Sequence, residues 1–270
     1  MFSGPNEPSP KRNPLTIVSS EDVIARLAET VMPGSAVAFD ADGTLWSGDI
    51  GIDTFEAMLE RRAVRPAALP ALRREAEAHG VPTPDDPAAA ARALYKAFAS
   101  GVYPEIRAFQ MMAWVFAGYR EQEVRAFALE VIDAVSLADR VHPEILPIVQ
   151  WVSDRSIPLL VVSASSTIVV RAAVERLKLP IGRVFGMSAA VQKGVVAPYA
   201  VGHVTYGAGK VDALREATEG APLLGAFGDS AYDLPMLAVA RVAVAVRPKH
   251  ELRARSAACP GLVELAPRSP

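Results

Sequence analysis

Cysteine is almost missing from this chain: Cys259 is the only one among 270 residues. That excludes an internal disulfide framework and any metal site built from several thiolates. A reducing compartment follows, so a cytoplasmic location is expected. Long apolar runs are missing too, and none approaches the roughly 18 residues of a membrane-spanning helix. Nor does one sign of charge prevail, since 28 Lys and Arg are scattered among 30 Asp and Glu. The usual footprint of nucleic-acid or anionic-membrane binding is therefore absent. His79, His142 and His203 stand far apart and form no ligand pair, so surface or capping roles are expected of them.

What remains is ordinary for a globular chain: 51% of residues are hydrophobic and 21% charged, enough to bury a real core as one large domain or two small ones. Residues 1–15, rich in Pro, Ser, Asn and Lys, read as a disordered tail rather than a leader segment. Ser19 and Ser20 offer caps for a helix over Glu21–Thr30, which Pro33 and Gly34 stop.

Three short apolar runs then share one form. Ala36-Val37-Ala38-Phe39 ends in Asp40, Pro158–Val162 ends in Ser163, and Pro222–Gly228 ends in Asp229. Continuous apolar runs suit strands buried on both faces of a parallel sheet. Helical spacing recurs between them, over Pro143–Asp154, Thr167–Leu177, Val211–Thr218 and Tyr232–Ala240. The alternation predicts an α/β fold, a Rossmann-like doubly wound parallel sheet. Its ligands belong beyond the C-terminal strand ends, where Asp40, Ser163 and Asp229 sit.

Residues 52–140 differ. They are Ala-, Arg- and Glu-rich with helical periodicity and no buried strand, and one loop is expected at Gly80–Pro87. They read as an inserted helical cap domain, leaving 16–51 and 141–270 as the core. Val195–Tyr206 alternates and reads as a hairpin ahead of Lys210. The stretch Phe109–Phe116 reads as a substrate-facing wall or as the cap's own core, and Arg107 before it as a solvated arginine.

Chemistry concentrates first in Asp40-Ala41-Asp42-Gly43-Thr44, where two carboxylates two residues apart on a turn can approach one cation and one phosphoryl group. A calcium loop is excluded, because Leu45 falls where that loop needs Gly and Gly51 where it needs Glu. Gly228-Asp229-Ser230-Ala231-Tyr232-Asp233 adds two more carboxylates, although Asp229 could merely cap the following helix. Four carboxylates in one crevice repel one another unless a cation sits among them. Lys210 supplies one positive charge, and its Gly207-Ala208-Gly209 prelude fails as a nucleotide loop because Val204 and Val211 occupy key positions.

With these motifs in this order, the chain resembles phosphatases of the haloacid dehalogenase-like (HAD) superfamily, in the phosphoserine phosphatase-like branch, from about Val31 to Val246. The resemblance implies a phosphoric monoester hydrolase using Mg2+. Asp40 would be the nucleophile and Asp42 the proton donor and base. Asp40, Asp229 and the backbone carbonyl of Asp42 would hold the metal, with Ser163 and Lys210 on the phosphate. It further implies substrate contacts at Asp49, Ala164 and Tyr232, with Asp233 and Thr44 supporting them from behind.

Departures also show. Where phosphoserine phosphatases carry Glu, two Gly and Asn, this chain has Asp49, Ala164-Ser165 and Tyr232. Phosphoserine is thus one small phosphorylated metabolite among several expected partners. A phosphotransferase or mutase of the same superfamily, and a non-catalytic phosphate-binding module, stand as alternatives. The chain is expected to act as a monomer or homodimer.

Overall fold

The computed structural model describes residues 15–268. Residues 1–14 of the expected tail lie outside it, and Leu15 leads directly into the first strand. Eight strands form one sheet: β1 (Thr16–Val18), β2 (Ala36–Phe39), β3 (Leu159–Ser166), β4 (Arg183–Gln192), β5 (Val195–Val201), β6 (Leu223–Gly228), β7 (Ala240–Val246) and β8 (Val263–Leu265). Their order is β1-β8-β7-β6-β2-β3-β4-β5, and every pair but β4–β5 is parallel. From β2 the chain winds one way through β3 and β4, then returns to build β6, β7 and β8 on the other side. The reversal lies between β2 and β6, the place where such sheets bind ligands.

The helices are α1 (Ser20–Thr30), α2 (Ile50–Glu60), α3 (Leu69–Ala78), α4 (Pro87–Ala99), α5 (Glu105–Trp114), α6 (Glu121–Ala134), α7 (Leu146–Asp154), α8 (Thr167–Arg176), α9 (Gly209–Ala217), α10 (Leu234–Ala238) and α11 (His250–Ala254). Among the described residues no helix is long and apolar enough to cross a membrane. Ser19 starts α1 by a reciprocal exchange, its hydroxyl accepting from Asp22 N–H while the Asp22 carboxylate accepts from Ser19 N–H.

Strand periodicity explains the two layers. Val37 and Phe39 point to one face, which α1, α7 and α8 cover with Val23, Leu27, Ile148, Val152 and Val170. Ala36 and Ala38 point to the other, where α9, α10 and α11 bring Leu214, Met236 and Leu252 against small residues. Cys259 is buried in that second layer.

Helices α2 to α5 form their own apolar cluster around Phe55, Met58, Leu72, Leu94, Met111 and Phe116. The connection from α3 to α4 falls at 79–86, and Asp86 caps α4 with Pro87 at its first position. Helix α6 instead packs Ala128, Val131 and Ile132 into the sheet's first layer. Ion pairs from Arg125 to Glu175 at 2.8 Å and from Arg176 to Asp133 at 2.7 Å lie between it and α8.

Three expectations change. The hairpin is not within Val195–Tyr206 but joins β4 to β5, turning at Lys193-Gly194, where both residues have positive φ (51° and 78°). That is the backbone a two-residue hairpin requires. The helix expected over Tyr232–Ala240 is a single 3₁₀ turn at Ala231–Asp233 followed by the short α10, with Pro235 in its first turn and β7 starting at Ala240. Finally, β1, β4, β7 and β8 join a sheet in which the sequence marked three parallel strands.

Candidate active site

Strand pairing places the first two carboxylates. Phe39 and Phe227 are in register, their rings stacked 4.4 Å apart, and Asp40 N–H donates to Phe227 O at 2.9 Å. Asp40 and Asp229 therefore leave the ends of neighbouring strands at the sheet's point of reversal. The two loops then interlock. A Cβ at Gly43 would stand 2.1 Å from Asp229 Oδ2, and Gly43 has φ of +84°. A Cβ at Gly228 would stand 2.5 Å from that of Asp233. Only glycine lets these carboxylate loops approach so closely.

Lys210, at the start of α9, is 3% exposed and not a solvated helix start. Its Nζ donates to Asp40 Oδ1 and to Asp233 Oδ1, each at 2.6 Å. Burial works against its charge, but Asp233 and Asp40 outweigh burial and hold the ammonium above the ordinary lysine range. Asp40 is pushed well above the usual carboxylate range by burial, against the pull of Lys210 and with Asp233 and Asp229 adding to the rise. Thr44 donates to Asp40 Oδ2 at 3.0 Å.

Asp233 is fully engaged. While Oδ1 holds Lys210, Oδ2 accepts from the backbone N–H groups of Asp229 and Ser230 and from the Ser230 hydroxyl. Ser230, not Asp229, caps the turn that follows. Asp229 is thereby left facing the cleft, where burial raises its carboxyl and Lys249 Nζ, 2.8 Å from Oδ2, opposes the rise.

Asp42 is held apart from this cluster. Its Oδ1 accepts from Trp46 Nε1 at 2.9 Å and from Ile50 N–H at 2.8 Å, and its Oδ2 accepts from the Ser165 hydroxyl at 2.7 Å. Ser163 lies beside it at 3.4 Å and accepts from Ser165 N–H at 3.0 Å. Asp49 caps α2 through Ile52 N–H at 2.8 Å, and it also lines the cleft. Burial, with the charge of Asp42, pushes its carboxyl up to about 7.

The cleft measures about 110 Å³, below the roughly 300–1,000 Å³ of sites for drug-sized ligands. It brings together Asp40, Asp42, Asp49, Ser163, Ala164, Lys210, Asp229 and Tyr232. Thr44 and Asp233 stand directly behind, as the bonds above show. One carboxylate oxygen from each of Asp40, Asp229 and Asp233 lies within 4.8 Å of the others. With Asp233 already engaged, Asp40 and Asp229 are the hard oxygen donors that suit a divalent cation.

Phe109 lines the cleft, as the substrate-facing reading of its stretch allows, while Glu105, Ser165, Tyr206 and Lys249 lie outside the expected site residues. Lys249 follows β7, so recognising Val242–Val246 as a strand would have flagged it by the rule that found Asp40. Glu105 reaches the cleft from α5 beside Phe109, and no local pattern announces it. The rest of the Phe109–Phe116 stretch, Met111 onward, is core of the apolar cluster of α2 to α5, and Arg107 pairs with Glu75.

His142 corrects another expectation. Rather than lying at the surface it is 3% exposed, with Nδ1 3.0 Å from Thr44 O behind the first motif and Nε2 without a partner. Burial lowers its pKa below the ordinary 6.5. The folded chain thus binds this proton more weakly than the unfolded chain. The resulting stability is fully present above about pH 6.5 and is lost as pH falls below it. Urea midpoints of the wild type should therefore decline more between pH 8 and 5 than those of His142→Asn, whose amide keeps the bond to Thr44. Parallel declines would remove His142 from the acid sensitivity.

Comparisons agree with this geometry. The model of a family described as haloacid dehalogenase-like hydrolase matches residues 37–238. No curated protein matches the chain. Among solved structures, a protein of unknown function from Bordetella pertussis Tohama I aligns with a TM-score of 0.65 at 18% identity, over 86% of this chain and 98% of that one. A probable phosphoserine phosphatase from Vibrio cholerae gives 0.56 at 16% identity, over 86% and 61%. Cytosolic 5'-nucleotidase IIIB bound to cytidine gives 0.56 at 12% identity, over 89% and 81%. At such identities the shared property is the fold.

Proposed function

Since the chain belongs to the haloacid dehalogenase-like hydrolase family, we propose that it is a phosphatase, cleaving a small phosphomonoester through an aspartyl-phosphate on Asp40. The observation that carries this reading is the buried pair of Asp40 and Lys210, 2.6 Å apart at the end of β2, in one cleft with Asp42, Ser163 and Asp229. A phosphate-binding module needs no second carboxylate held beside the first by three donors.

In this reading an Asp40 oxygen attacks phosphorus, the ester P–O bond breaks, and the departing alkoxide takes a proton from Asp42. Asp42 then removes a proton from water, which attacks the aspartyl-phosphate, releases inorganic phosphate and restores Asp40. Trp46, Ile50 and Ser165 fix Asp42 for both transfers. Ser163 and the backbone at Ala164, near the end of β3, receive phosphate oxygens, and Lys210 offsets the charge gathered around the nucleophile. Asp233 keeps Lys210 aimed and charged, and Thr44 orients Asp40. Asp40, Asp229 and the backbone carbonyl of Asp42 would hold Mg2+, whose chemistry is to neutralise phosphate oxygens as negative charge approaches negative charge.

The substrate is proposed to be a small phosphorylated metabolite, with phosphoserine one candidate. Turnover of a panel of phosphomonoesters, nitrophenyl phosphate included, tests the reading. Exhaustive chelation should abolish turnover and magnesium should restore it, because the carboxylates of the cleft otherwise repel a dianionic phosphate. Undiminished hydrolysis without metal would rule out the metal-assisted mechanism.

A further inference from the structure

The charges lining the cleft do not balance. Asp40, Asp42, Asp49, Glu105 and Asp229 face only Lys210 and Lys249. Lys210 is already shared by Asp40 and Asp233, and Lys249 sits on Asp229. Asp49 and Glu105 have neutral partners instead. Asp49 accepts from Ile52 N–H, with the Ser165 hydroxyl 3.4 Å away. Glu105 accepts on one oxygen, Oε2, from Tyr206 at 2.7 Å and Tyr232 at 2.8 Å. Among the described residues no Lys, Arg or His side chain pairs with either carboxylate, and no guanidinium or imidazole lines the cleft.

Aromatic rings complete that wall. Tyr206 and Tyr232 lie 4.3 Å apart at 36°, and Phe109 follows 5.9 Å from Tyr206. A leaving group bearing a carboxylate would meet two carboxylates lacking cations and find no spare cation for itself. A cationic nitrogen meets the opposite situation, carboxylates joined to ring faces whose quadrupoles attract positive charge. The small cleft limits how far that nitrogen stands from phosphorus.

Resting on the phosphatase reading above, we propose that the substrate is the phosphate ester of a short amino alcohol without a carboxylate. Its cationic nitrogen is received by Glu105, Phe109, Tyr206 and Tyr232. Phosphocholine and phosphoethanolamine share this chemistry and differ in how the nitrogen is held. The methylated nitrogen relies on ring faces, and the primary one on hydrogen bonds to carboxylate.

The test compares kcat/KM for phosphocholine, phosphoethanolamine, glycerol 3-phosphate and phosphoserine in the presence of magnesium. At least one amino-alcohol ester should exceed both other substrates by about tenfold or more. Glu105→Gln, which keeps an acceptor for the tyrosine hydroxyls, should shrink that ratio by about tenfold. Tyr232→Leu, at a position already 43% exposed, should shrink it most for phosphocholine. A preference for phosphoserine or glycerol phosphate, or a ratio unmoved by both substitutions, would overturn the proposal. Nitrophenyl phosphate separates the two readings. If it is not hydrolysed the phosphatase reading fails, and calorimetric titration still tests the cation site. Tighter binding of either amino-alcohol ester than of glycerol phosphate supports that site; equal or undetectable binding removes it.

Discussion

Replacing Asp40 by Asn is expected to reduce turnover to background, a loss on the order of 10⁴–10⁶-fold, because the amide keeps the shape but is no nucleophile. Asp42→Asn should also silence an alkyl phosphate, yet by a different route. In the proposed mechanism its side chain supplies the proton for the leaving alcohol and accepts one from water, work worth about 10²–10⁴-fold. Nitrophenyl phosphate separates the two, since its leaving group needs little protonation. With that substrate the Asp42 variant should still phosphorylate Asp40 and then stall, so an acid quench should trap phosphate on the protein. The Asp40 variant should trap none. Substantial turnover by Asp40→Asn, with deamidation excluded by mass spectrometry, would falsify the covalent mechanism.

Asp233→Ala is expected to be the most damaging substitution for stability, although Asp233 lines no part of the cleft. It is fully buried, bonding Lys210 through one oxygen and, through the other, two backbone N–H groups and a hydroxyl. Removing it strands those donors and leaves a buried ammonium with Asp40 as its only counter-charge. Breaking a buried ion pair from one side costs about 3–5 kcal/mol. Activity should fall with stability, since the same oxygens shape the loop that carries Asp229. Once Asp40 is phosphorylated its carboxylate charge is consumed, and Asp233 alone among the carboxylates still balances Lys210. Asp233→Asn, which retains one carbonyl oxygen for the backbone donors, should lose less stability than the Ala variant. Urea denaturation followed by circular dichroism measures both, and an Ala variant within about 1 kcal/mol of the wild type would contradict this account.

The parts of the site legible in the sequence are those that depend on local order. A buried strand ends, a carboxylate follows, and sheet geometry places that carboxylate at the ligand edge. Asp40 and Asp229 are readable for this reason. Ser163 follows an apolar run of the same form but lies within β3, which continues to Ser166. Lys210 and Asp233 are readable through the resemblance that the motifs support. Strand β7 was missed although Val242–Val246 has the same apolar texture, because the helical spacing ahead of it was extended through Ala240. Losing β7 hid Lys249. Glu105 and Tyr206 are a different case. Each reaches the cleft only because a helix from the insertion and the segment before α9 converge over the sheet, a long-range event with no periodic trace. His142 was misplaced because an isolated polar residue gives no sign of whether a loop will fold over it.

The hairpin of β4 and β5 has a consequence for how such a protein can be recombined. Val196 exchanges backbone hydrogen bonds with Gly118 and Tyr119, and its side chain is buried among those of α2 to α5. Ala189 and Ala200 pack against the same cluster. The helical cluster that sends Glu105 and Phe109 to the cleft is thus assembled from two stretches of chain, and the second of them is continuous with a strand of the sheet. Helix α6 ties the first stretch back to that sheet from the opposite direction. A graft that moved residues 52–140 alone into a relative would arrive without its floor, exposing Phe116 and Met111 to water and leaving the hairpin's inner face bare. The unit that packs together in this architecture is a discontinuous one, and chimeras should be cut at Arg183 and Val201 as well as at the insertion's ends.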